Sequence, residues 1–345
     1  MCSCSTSELK GGGEMEKVRV GFIGCGGNGR GHLKRVLGFP DVQVVALADP
    51  DPEALKLATE LEPRLKDVPK FSDYREMLEK VEMDAVEIST PHTLHYEQIM
   101  ASLEKGLHVL TEKPMVCRSE HAEEVMAKAK EVGKVLMISY QRHFSPAFRF
   151  LRNYIRSGEL GEIQFVSALQ AQGWYWMAKG TWRQVLSLSG GGQLNDSGSH
   201  LLDIILWTTG LDVDEVSAYI DRLDTEVDIN SSLSLKFSNG ALGSLSVVGN
   251  APKGFYETIS FFGSRAAVFY ENGKLLYKKM GLDEAFEPQG LPDASSPDRN
   301  FIDAILGRDE VQVPPECGLK VIRLTEAAWR SAELGGRPVK VGGKE

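Results

Sequence analysis

Several features are scarce or absent in this sequence, and each absence excludes a class of protein. Only five of its 345 residues are cysteines, at positions 2, 4, 25, 117 and 317, too few and too scattered for a disulfide framework. No run approaches the ~18 apolar residues that a membrane-spanning helix needs, and residues 1–17 lack the apolar core of a secretory signal. These absences predict a cytoplasmic protein that does not enter a membrane.

Positive charge is also in deficit. The chain has 39 Lys and Arg against 48 Asp and Glu, for a net charge of −9, which argues against nucleic acid or an anionic membrane surface as the main partner. The hydrophobic fraction of 42% and the charged fraction of 25% are typical of a globular chain with a buried core. The length exceeds that of one ordinary domain and predicts two.

The first seventeen residues are predicted to be a disordered leader outside the fold. Cys2 and Cys4 form a C-x-C pair there, but no third or fourth metal ligand follows them. We therefore predict no metal site.

Residues 18–140 alternate short apolar segments with helical patterns. Strands are predicted at 18–24, 42–48, 85–89, 107–110 and 135–139, and helices at 32–39, 52–62, 96–104 and 119–131. Buried β-branched runs that alternate with helices at this spacing are typical of βαβ units. This part is predicted to be an α/β Rossmann dinucleotide-binding domain with a parallel sheet.

Residues 141–345 have a different pattern. Strands are predicted at 163–170, 215–221, 231–237, 241–249, 257–263, 266–270 and 274–278, and helices at 146–157, 197–209 and 317–334. Turn signals separate the strands, which favours antiparallel pairing. We predict an α+β domain with a large, mostly antiparallel, open-faced sheet that carries the substrate site and the oligomer interface.

The sequence Gly-Cys-Gly-Gly-Asn-Gly follows the first predicted strand and leads into a helix. In this context Gly24 permits a tight turn, Gly26 lets the backbone approach a pyrophosphate, and Gly29 allows close packing of helix and strand. The helix N-terminus offers free N–H groups to the phosphates. The alternative is that these glycines form only a turn.

Asp49 ends the second strand, 20 residues after Gly29 (49 − 29 = 20). A carboxylate there accepts hydrogen bonds from the adenosine ribose and repels a 2′-phosphate. No Arg or Lys follows it before Lys56, so NAD is favoured over NADP. The alternative is that Asp49 only caps the next helix.

Two further segments carry chemistry. Glu112-Lys113-Pro114 follows a strand at the carboxyl end of the sheet, where doubly wound folds bind ligands; a surface salt bridge is the alternative. Asp196 and His200 are four residues apart and share a face of a predicted helix, so the carboxylate can raise the basicity of the imidazole. Alternatively, Asp196 caps the helix and His200 is a core residue.

Taken in order, these segments resemble the Gfo/Idh/MocA (glucose–fructose oxidoreductase/inositol dehydrogenase) family of nicotinamide-dependent oxidoreductases. The resemblance runs from about residue 18 to 342. Its segments are VGFIGCGGNG, STPHTLH at 89–95, EKP at 112–114, YQRHFSPA at 140–147, GELGEI at 158–163, TWR at 181–183 and the GGG…DxGxHxxD block.

The resemblance implies roles for individual residues. Lys113 would hold the substrate oxygen, His200 would be the general acid/base, and Asp196 would bind substrate and tune His200. The implied cofactor-binding residues are Gly24, Gly26, Gly27, Asn28, Gly29, Asp49, Thr90, Pro91, His95, Glu112 and Lys113. The implied substrate-binding residues are Arg142, Trp182, Arg183 and Asp196. His92 stands where family members often have Asn, so no role is assigned to it.

The family's activity implies hydride transfer between NAD and a secondary alcohol or ketone of a sugar, inositol or related polyol, by a homodimer or homotetramer. Trp174, Trp176 and Trp182 lie just before the catalytic block, where aromatic faces could stack on a sugar; a core or subunit interface would equally account for Trp174 and Trp176. Two other functions stay open: an NAD-dependent glycosidase with a transient oxidation, and a non-catalytic dinucleotide sensor.

Overall fold

The structure is a computed structural model that describes residues 17–343. Residues 1–16, with the C-x-C pair of Cys2 and Cys4, lie outside this range. The described chain builds two sheets, and helices pack against both of them.

The first sheet has six parallel strands in the order β3-β2-β1-β4-β5-β6. Its strands are β1 (Val18–Ile23), β2 (Val42–Ala48), β3 (Lys70–Phe71), β4 (Ala85–Ile88), β5 (His108–Thr111) and β6 (Leu136–Ile138). The strands are added in opposite directions on the two sides of β1: β2 and β3 lie on one side of it, and β4, β5 and β6 lie on the other. A crevice forms at such a switch point because the connections on its two sides leave toward opposite faces.

Five helices connect these strands: α1 (Gly27–Val36), α2 (Pro52–Thr59), α3 (Tyr74–Lys80), α4 (His95–Glu104) and α5 (Ser119–Val132). Helix α1 begins inside the glycine cluster, five residues before the start predicted at His32. The sequence analysis did not predict β3 or α3, because a two-residue strand and a seven-residue helix are too short to show a hydrophobic period.

The second sheet has eight strands in the order β13-β12-β11-β7-β10-β9-β8-β14. They are β7 (Ile163–Gln172), β8 (Val213–Asp221), β9 (Asn230–Phe237), β10 (Leu242–Val248), β11 (Phe255–Gly263), β12 (Ala266–Glu271), β13 (Lys274–Lys279) and β14 (Val339–Lys340). Strands β7 and β10 pair in parallel, and the other neighbours are antiparallel. Buried and exposed residues alternate along β9, so one face of the sheet is covered and the other is open.

Six helices accompany the second sheet: α6 (Pro146–Arg156), α7 (Trp174–Ala178), α8 (Leu186–Ser189), α9 (Gly198–Thr209), α10 (Pro297–Ile305) and α11 (Pro315–Glu333). Helix α9 is buried on almost every side. The sequence analysis did not predict α10, which packs on α1, whereas α11 contacts both α5 and β8. The C-terminal helices therefore tie the two sheets together.

The predicted fold class is confirmed: a Rossmann-type parallel sheet and a mostly antiparallel second sheet. Within residues 17–343, none of the helices has the length and apolar character needed to cross a bilayer.

Candidate functional site

A cavity of about 730 Å³ opens at the carboxyl ends of β1, β2, β4 and β5. The sequence-predicted residues that line it are Gly24, Gly26, Gly27, Asn28, Asp49, Thr90, Pro91, Glu112, Lys113, Trp182 and Arg183. The parallel sheet brings together the segments that follow its strands, because these strands all end at the same edge, whereas Trp182 and Arg183 come from the segment between α7 and α8.

The glycine loop is shaped for a ligand on one side and for packing on the other. A Cβ at Gly24 would lie 2.4 Å from the carbonyl oxygen of Ser89, and one at Gly29 would lie 2.0 Å from the carbonyl oxygen of Gly24. A Cβ at Gly26 or Gly27 would meet nothing within 4 Å. Two of the glycines thus permit packing, and two leave the backbone open to the cavity.

Helix α1 begins at the cavity, and no side chain caps its N-terminus. Its N-cap residue, Gly26, provides no side-chain hydrogen bond, and the first turn has no acidic residue. The free N–H groups and the positive end of the helix dipole are therefore available to an anion. Together with the open backbone at Gly26 and Gly27, this fits the pyrophosphate of a dinucleotide.

Asp49 braces the loop while it lines the cavity. Its Oδ2 accepts a 2.7 Å hydrogen bond from the N–H of Cys25, and its Oδ1 accepts one of 2.9 Å from the N–H of Asp51. No Arg or Lys lies between Asp49 and Lys56 along the chain. In the fold, however, Arg75 lines the same cavity, where its Nη2 is paired with Oε2 of Glu97 at 3.0 Å.

Thr90 and Pro91 line the cavity, but His95 does not. Its ring is fully buried, with Nδ1 2.8 Å from the carbonyl oxygen of Pro114 and Nε2 3.0 Å from that of Thr90. Burial lowers the pKa of His95. His95 therefore supports the two loops from behind the cavity.

The ammonium of Lys113 and the carboxylate of Asp196 form a buried ion pair. Nζ of Lys113 lies 2.5 Å from Oδ1 of Asp196 and 3.3 Å from its backbone oxygen. Lys113 follows β5 of the first sheet, and Asp196 precedes α9 of the second part of the chain. This contact brings the two predicted chemistry-bearing segments together.

The second oxygen of Asp196 is also occupied. Oδ2 accepts a hydrogen bond of 2.9 Å from Nε1 of Trp174 and one of 3.0 Å from Nε of Arg183. Burial by itself would raise the pKa of Asp196, but Lys113, His92 and Arg183 outweigh it and hold that pKa well below its usual range. Asp196 is therefore a permanent carboxylate that organises the cations around it.

His200 lies near this cluster without a hydrogen bond to Asp196. Its Nδ1 is buried and has no partner among residues 17–343, and its ring meets Tyr140 edge-on at 5.7 Å between centroids. Burial, followed by the charges of Lys113 and Arg142, lowers the pKa of His200 well below its usual value. The charge of Asp196 opposes this lowering without outweighing it. The lowered pKa keeps the imidazole neutral at pH 7.

The predicted substrate residues lie in two places. Trp182 and Arg183 line the cavity, and the guanidinium of Arg183 sits 4.5 Å from the centroid of the Trp182 ring. Arg142 does not line it; its Nη1 is paired with Oε1 of the buried Glu257 at 2.7 Å. Arg142 therefore reaches the site through its charge on His200.

His92, to which the sequence assigned no role, lines the cavity and lies between Asp196 and Trp182. Its Nε2 is 3.7 Å from Oδ1 of Asp196, its Nδ1 is 3.2 Å from the carbonyl oxygen of Ser189, and its ring meets Trp182 edge-on at 4.7 Å. Burial lowers the pKa of His92 to about 3. No sequence signal beyond its place after Pro91 pointed to it.

The aromatic residues that precede the GGG…DxGxHxxD block lie in the core, on the surface and at the cavity. Trp174 is buried with Tyr175 in a small cluster and donates to Asp196, whereas Trp176 is 62% exposed. Trp182 is the one of the three predicted tryptophans that lines the cavity.

Behind the cavity, Glu112 belongs to a buried charge network. Its Oε1 lies 3.0 Å from Nε2 of His32, whose Nδ1 is 2.7 Å from Oδ1 of Asp298 and 3.4 Å from Oε2 of Glu87. Burial alone would lower the pKa of His32, but Asp298 and Glu112 raise it to about 10. The sequence analysis missed this network because Asp298 comes from the unpredicted helix α10.

Comparison with known proteins places this geometry in a family. Residues 18–140 match the oxidoreductase family GFO_IDH_MocA, described by its NAD-binding Rossmann fold, and residues 148–269 match the C-terminal domain of that family.

Individual proteins agree with these matches. The chain is 27% identical over 352 residues to D-glucoside 3-dehydrogenase of Escherichia coli (strain K12), covering 93% of this chain and 97% of that protein. It is 26% identical over 261 residues to scyllo-inositol 2-dehydrogenase (NAD(+)) of Bacillus subtilis (strain 168), covering 73% of each.

Among solved structures, levoglucosan dehydrogenase in complex with NADH superposes with a TM-score of 0.85 at 22% identity, covering 95% of this chain and 100% of that one. That likeness shows the fold. The two family matches follow one another along the chain, and the fold and the glycine loop agree with them. The chain therefore belongs to the Gfo/Idh/MocA family of oxidoreductases, whose N-terminal domain binds NAD.

Proposed function

We propose that this chain is an NAD-dependent dehydrogenase that acts on a ring secondary alcohol of a sugar, inositol or related polyol, or on the corresponding ketone. The observation that carries the proposal is the 2.5 Å ion pair between Lys113, which lines the cavity together with the glycine loop, and the buried Asp196, which does not line it. The pair supports a role for the Lys113 ammonium as a fixed hydrogen-bond donor next to bound NAD. The relatives named as sugar and inositol dehydrogenases support the substrate class.

When bound, NAD supplies the hydride acceptor at C4 of its nicotinamide. In this proposal the ammonium of Lys113 binds the substrate oxygen and stabilises it as its charge changes. Asp196 keeps that ammonium in place through Oδ1, while Trp174 and Arg183 fix Oδ2. A carboxylate with both oxygens occupied positions its partners well, because it has little freedom to turn.

His200 is proposed as the base that takes the proton from the hydroxyl group. Its lowered pKa keeps the imidazole unprotonated at neutral pH, as alcohol oxidation requires. His200 does not line the cavity, and its buried Nδ1 has no hydrogen-bond partner among the described residues. Buried polar atoms are normally paired, so the proposal requires that bound substrate or a water molecule reach this imidazole. In the reverse direction His200 would return the proton to the ketone oxygen.

We also propose a homodimer or homotetramer that works in the cytoplasm, with no nucleic acid or membrane partner. Leu242 and Phe262 are 53% and 38% exposed on the open face of the second sheet, and Leu276 is 39% exposed on β13. Apolar side chains on an uncovered sheet favour association with a second copy.

The test is absorbance at 340 nm while purified protein with NAD⁺, and separately NADP⁺, receives inositols, hexoses, uronic acids and amino sugars. We expect a rise with one class in NAD⁺. His200→Asn and Lys113→Met should each lower kcat by about 10²–10³. The controls are His121→Asn, whose ring stacks on Tyr96 away from the cavity, and the exposed Lys105→Met.

Two results would overturn the proposal. One is no absorbance change with any class from protein shown to bind NAD⁺. The other is release of nitrophenol from an aryl glycoside with NAD retained and no net reduction, since that result belongs to a glycosidase with a transient oxidation.

A further inference from the structure

A second cavity, of about 630 Å³, lies between α6, α9, the segment 310–314 and the start of α11. It shares no lining residue with the cavity that holds the glycine loop. Neither the sequence motifs nor the proposed reaction uses it.

One wall of this cavity is cationic. Arg149, Arg152 and Arg156 line it from α6, where spacings of three and four residues place them on one face of the helix. Lys320 lines it from α11 and is paired with Asp212 at 2.6 Å. None of the three arginines makes an ion pair within residues 17–343; Arg149 donates only to the backbone oxygen of Asp293.

Arg152 is the most unusual of these side chains. Its Nε is buried without a hydrogen-bond partner among the described residues, and its guanidinium lies 4.0 Å from the centroid of the Trp207 ring. Burial, and then the neighbouring charge of Arg156, lower the pKa of Arg152 to about 10. The side chain as a whole is half-buried and makes no ion pair among the described residues. Partly desolvated charges are normally paired, so this guanidinium is a cation that lacks its anion.

None of the carboxylates that line the cavity pairs with Arg152. Asp203 lies deep in the wall, where its Oδ2 is 2.8 Å from Nε2 of His143. Glu310 and Glu316 also line the cavity, but both side chains are exposed. The unpaired charge that remains is positive and belongs to the arginines of α6.

We propose that this cavity binds a compact oxyanion, a phosphate or carboxylate group of a small metabolite, with Arg152 as its central ligand. A guanidinium presents a planar fork of N–H donors that matches either group. Trp207 fixes the plane of that fork by stacking, and Arg149 and Arg156 add charge on either side. The cavity volume suits a molecule of metabolite size.

The same helix connects this cavity to the proposed active site. Helix α9 provides Asp203, Leu206 and Trp207 to the cavity and carries His200 in its first turn. An anion held by Arg152 would therefore contact the element that positions the proposed base. This position makes an effector site the natural use of the cavity.

The experiment is isothermal titration of the full chain with sodium phosphate and, separately, sodium citrate, at an ionic strength held constant with NaCl. Saturating NAD⁺ is present so that the glycine loop does not take the anion. We expect saturable binding of at least one of the two probes. The probe that binds more tightly shows whether the site prefers a phosphate or a carboxylate group.

Arg152→Met should weaken that binding at least tenfold, whereas Arg152→Lys should restore part of it. The matched control is Arg118→Gln, because Arg118 is an exposed arginine paired with Glu120 at 3.3 Å. Arg156→Gln serves as a second variant if Arg152→Met does not fold. Absence of saturable binding of both probes, or equal binding by Arg152→Met and the parent, would overturn the proposal.

Discussion

Nζ of Lys113 lies 2.5 Å from Oδ1 of Asp196, although 83 positions separate the two residues in the chain. One side chain follows the first sheet, and the other precedes the buried helix of the second part of the chain. Their contact joins the NAD-binding Rossmann part of the chain to the part that carries the second sheet.

Breaking this ion pair should affect stability and activity together. Asp196→Asn leaves a buried ammonium without its carboxylate, so we expect a loss of about 3–5 kcal/mol in the free energy of unfolding. Lys113→Met should lower kcat by about 10²–10³ and destabilise less, because Arg183 and Trp174 still hold Asp196. Denaturant unfolding and the 340 nm assay measure both effects.

The double variant Lys113→Met/Asp196→Asn checks that the pair acts as a unit. Its loss in unfolding free energy should be smaller than the sum of the single losses by about 1–3 kcal/mol. Strictly additive losses would mean that the two groups do not interact in solution.

Two glycines of the same loop should respond differently to alanine. Gly29→Ala places a Cβ 2.0 Å from the carbonyl oxygen of Gly24, so the loop must move and the melting temperature should fall by several degrees. Gly26→Ala meets nothing within 4 Å. It should therefore leave the melting temperature nearly unchanged and weaken NAD binding by tenfold or more, because its methyl group occupies the phosphate approach.

Calorimetry of unfolding and titration with NAD⁺ separate these two effects. The expectation for Gly26 is contradicted if the alanine variant binds NAD⁺ as tightly as the parent. The expectation for Gly29 is contradicted if its alanine variant melts at the parent's temperature.

The pH dependence of oxidation should lack an acid limb near the ordinary histidine pKa. The pKa of His200 is lowered well below its usual value, so the free enzyme keeps its base unprotonated at a pH where an ordinary histidine becomes protonated. We expect kcat/KM for alcohol oxidation to be flat between about pH 6 and pH 8. A fall in kcat/KM centred near pH 6.5 would contradict the neutral, buried environment of His200.

Glu87 should make the protein less stable as the pH rises. Burial, and then the charge of Asp298, raise the pKa of Glu87 to about 8. Neither of its carboxylate oxygens has a hydrogen-bond partner among the described residues, although Oε2 lies 3.4 Å from Nδ1 of His32. Between about pH 4.5 and pH 8 the unfolded chain releases this proton while the folded chain keeps it. Stability from this group is therefore complete below pH 4.5 and is lost as the pH rises to 8.

Glu87→Gln removes that dependence. The melting temperature of the variant should rise relative to the parent between pH 5.5 and pH 8, by about 1–2 °C for each kcal/mol recovered in a chain of 345 residues. Glu104→Gln, at an exposed position of α4, is the matched control. A melting-temperature difference between variant and parent that does not change with pH would contradict the raised pKa.

The elements that the sequence predicted well are those with a strong local period. Strands β1 and β2, with their apolar runs, and α5, with its regular amphipathic pattern, lie within a residue or two of their predicted bounds. Helix α10 was missed because it is short and follows a long irregular segment. A local hydrophobic pattern predicts an element only where the pattern is long enough to recognise. Helix α10 is stabilised by its packing on α1, and this contact cannot be seen from the local sequence.

The candidate site divides in the same way. The sequence by itself determined which residues were candidates at the glycine loop, Asp49 and Lys113, all of which reach the cavity, because each depends on residue type at a fixed spacing and on where a strand ends. It indicated a direct pairing of Asp196 with His200, since four residues on a helix share a face. The structure instead directs the carboxylate to Lys113, Trp174 and Arg183.

Only the tertiary structure decided which charges meet and which are buried. His92 came to lie beside Asp196, His32 beside Asp298, and Arg152 over Trp207, in each case through packing between distant segments. The protonation of His200 and Glu87 follows from the same packing, because desolvation and neighbouring charges set a pKa and neither can be read along the chain. Chain order specified the scaffold, and three-dimensional contact specified its electrostatics.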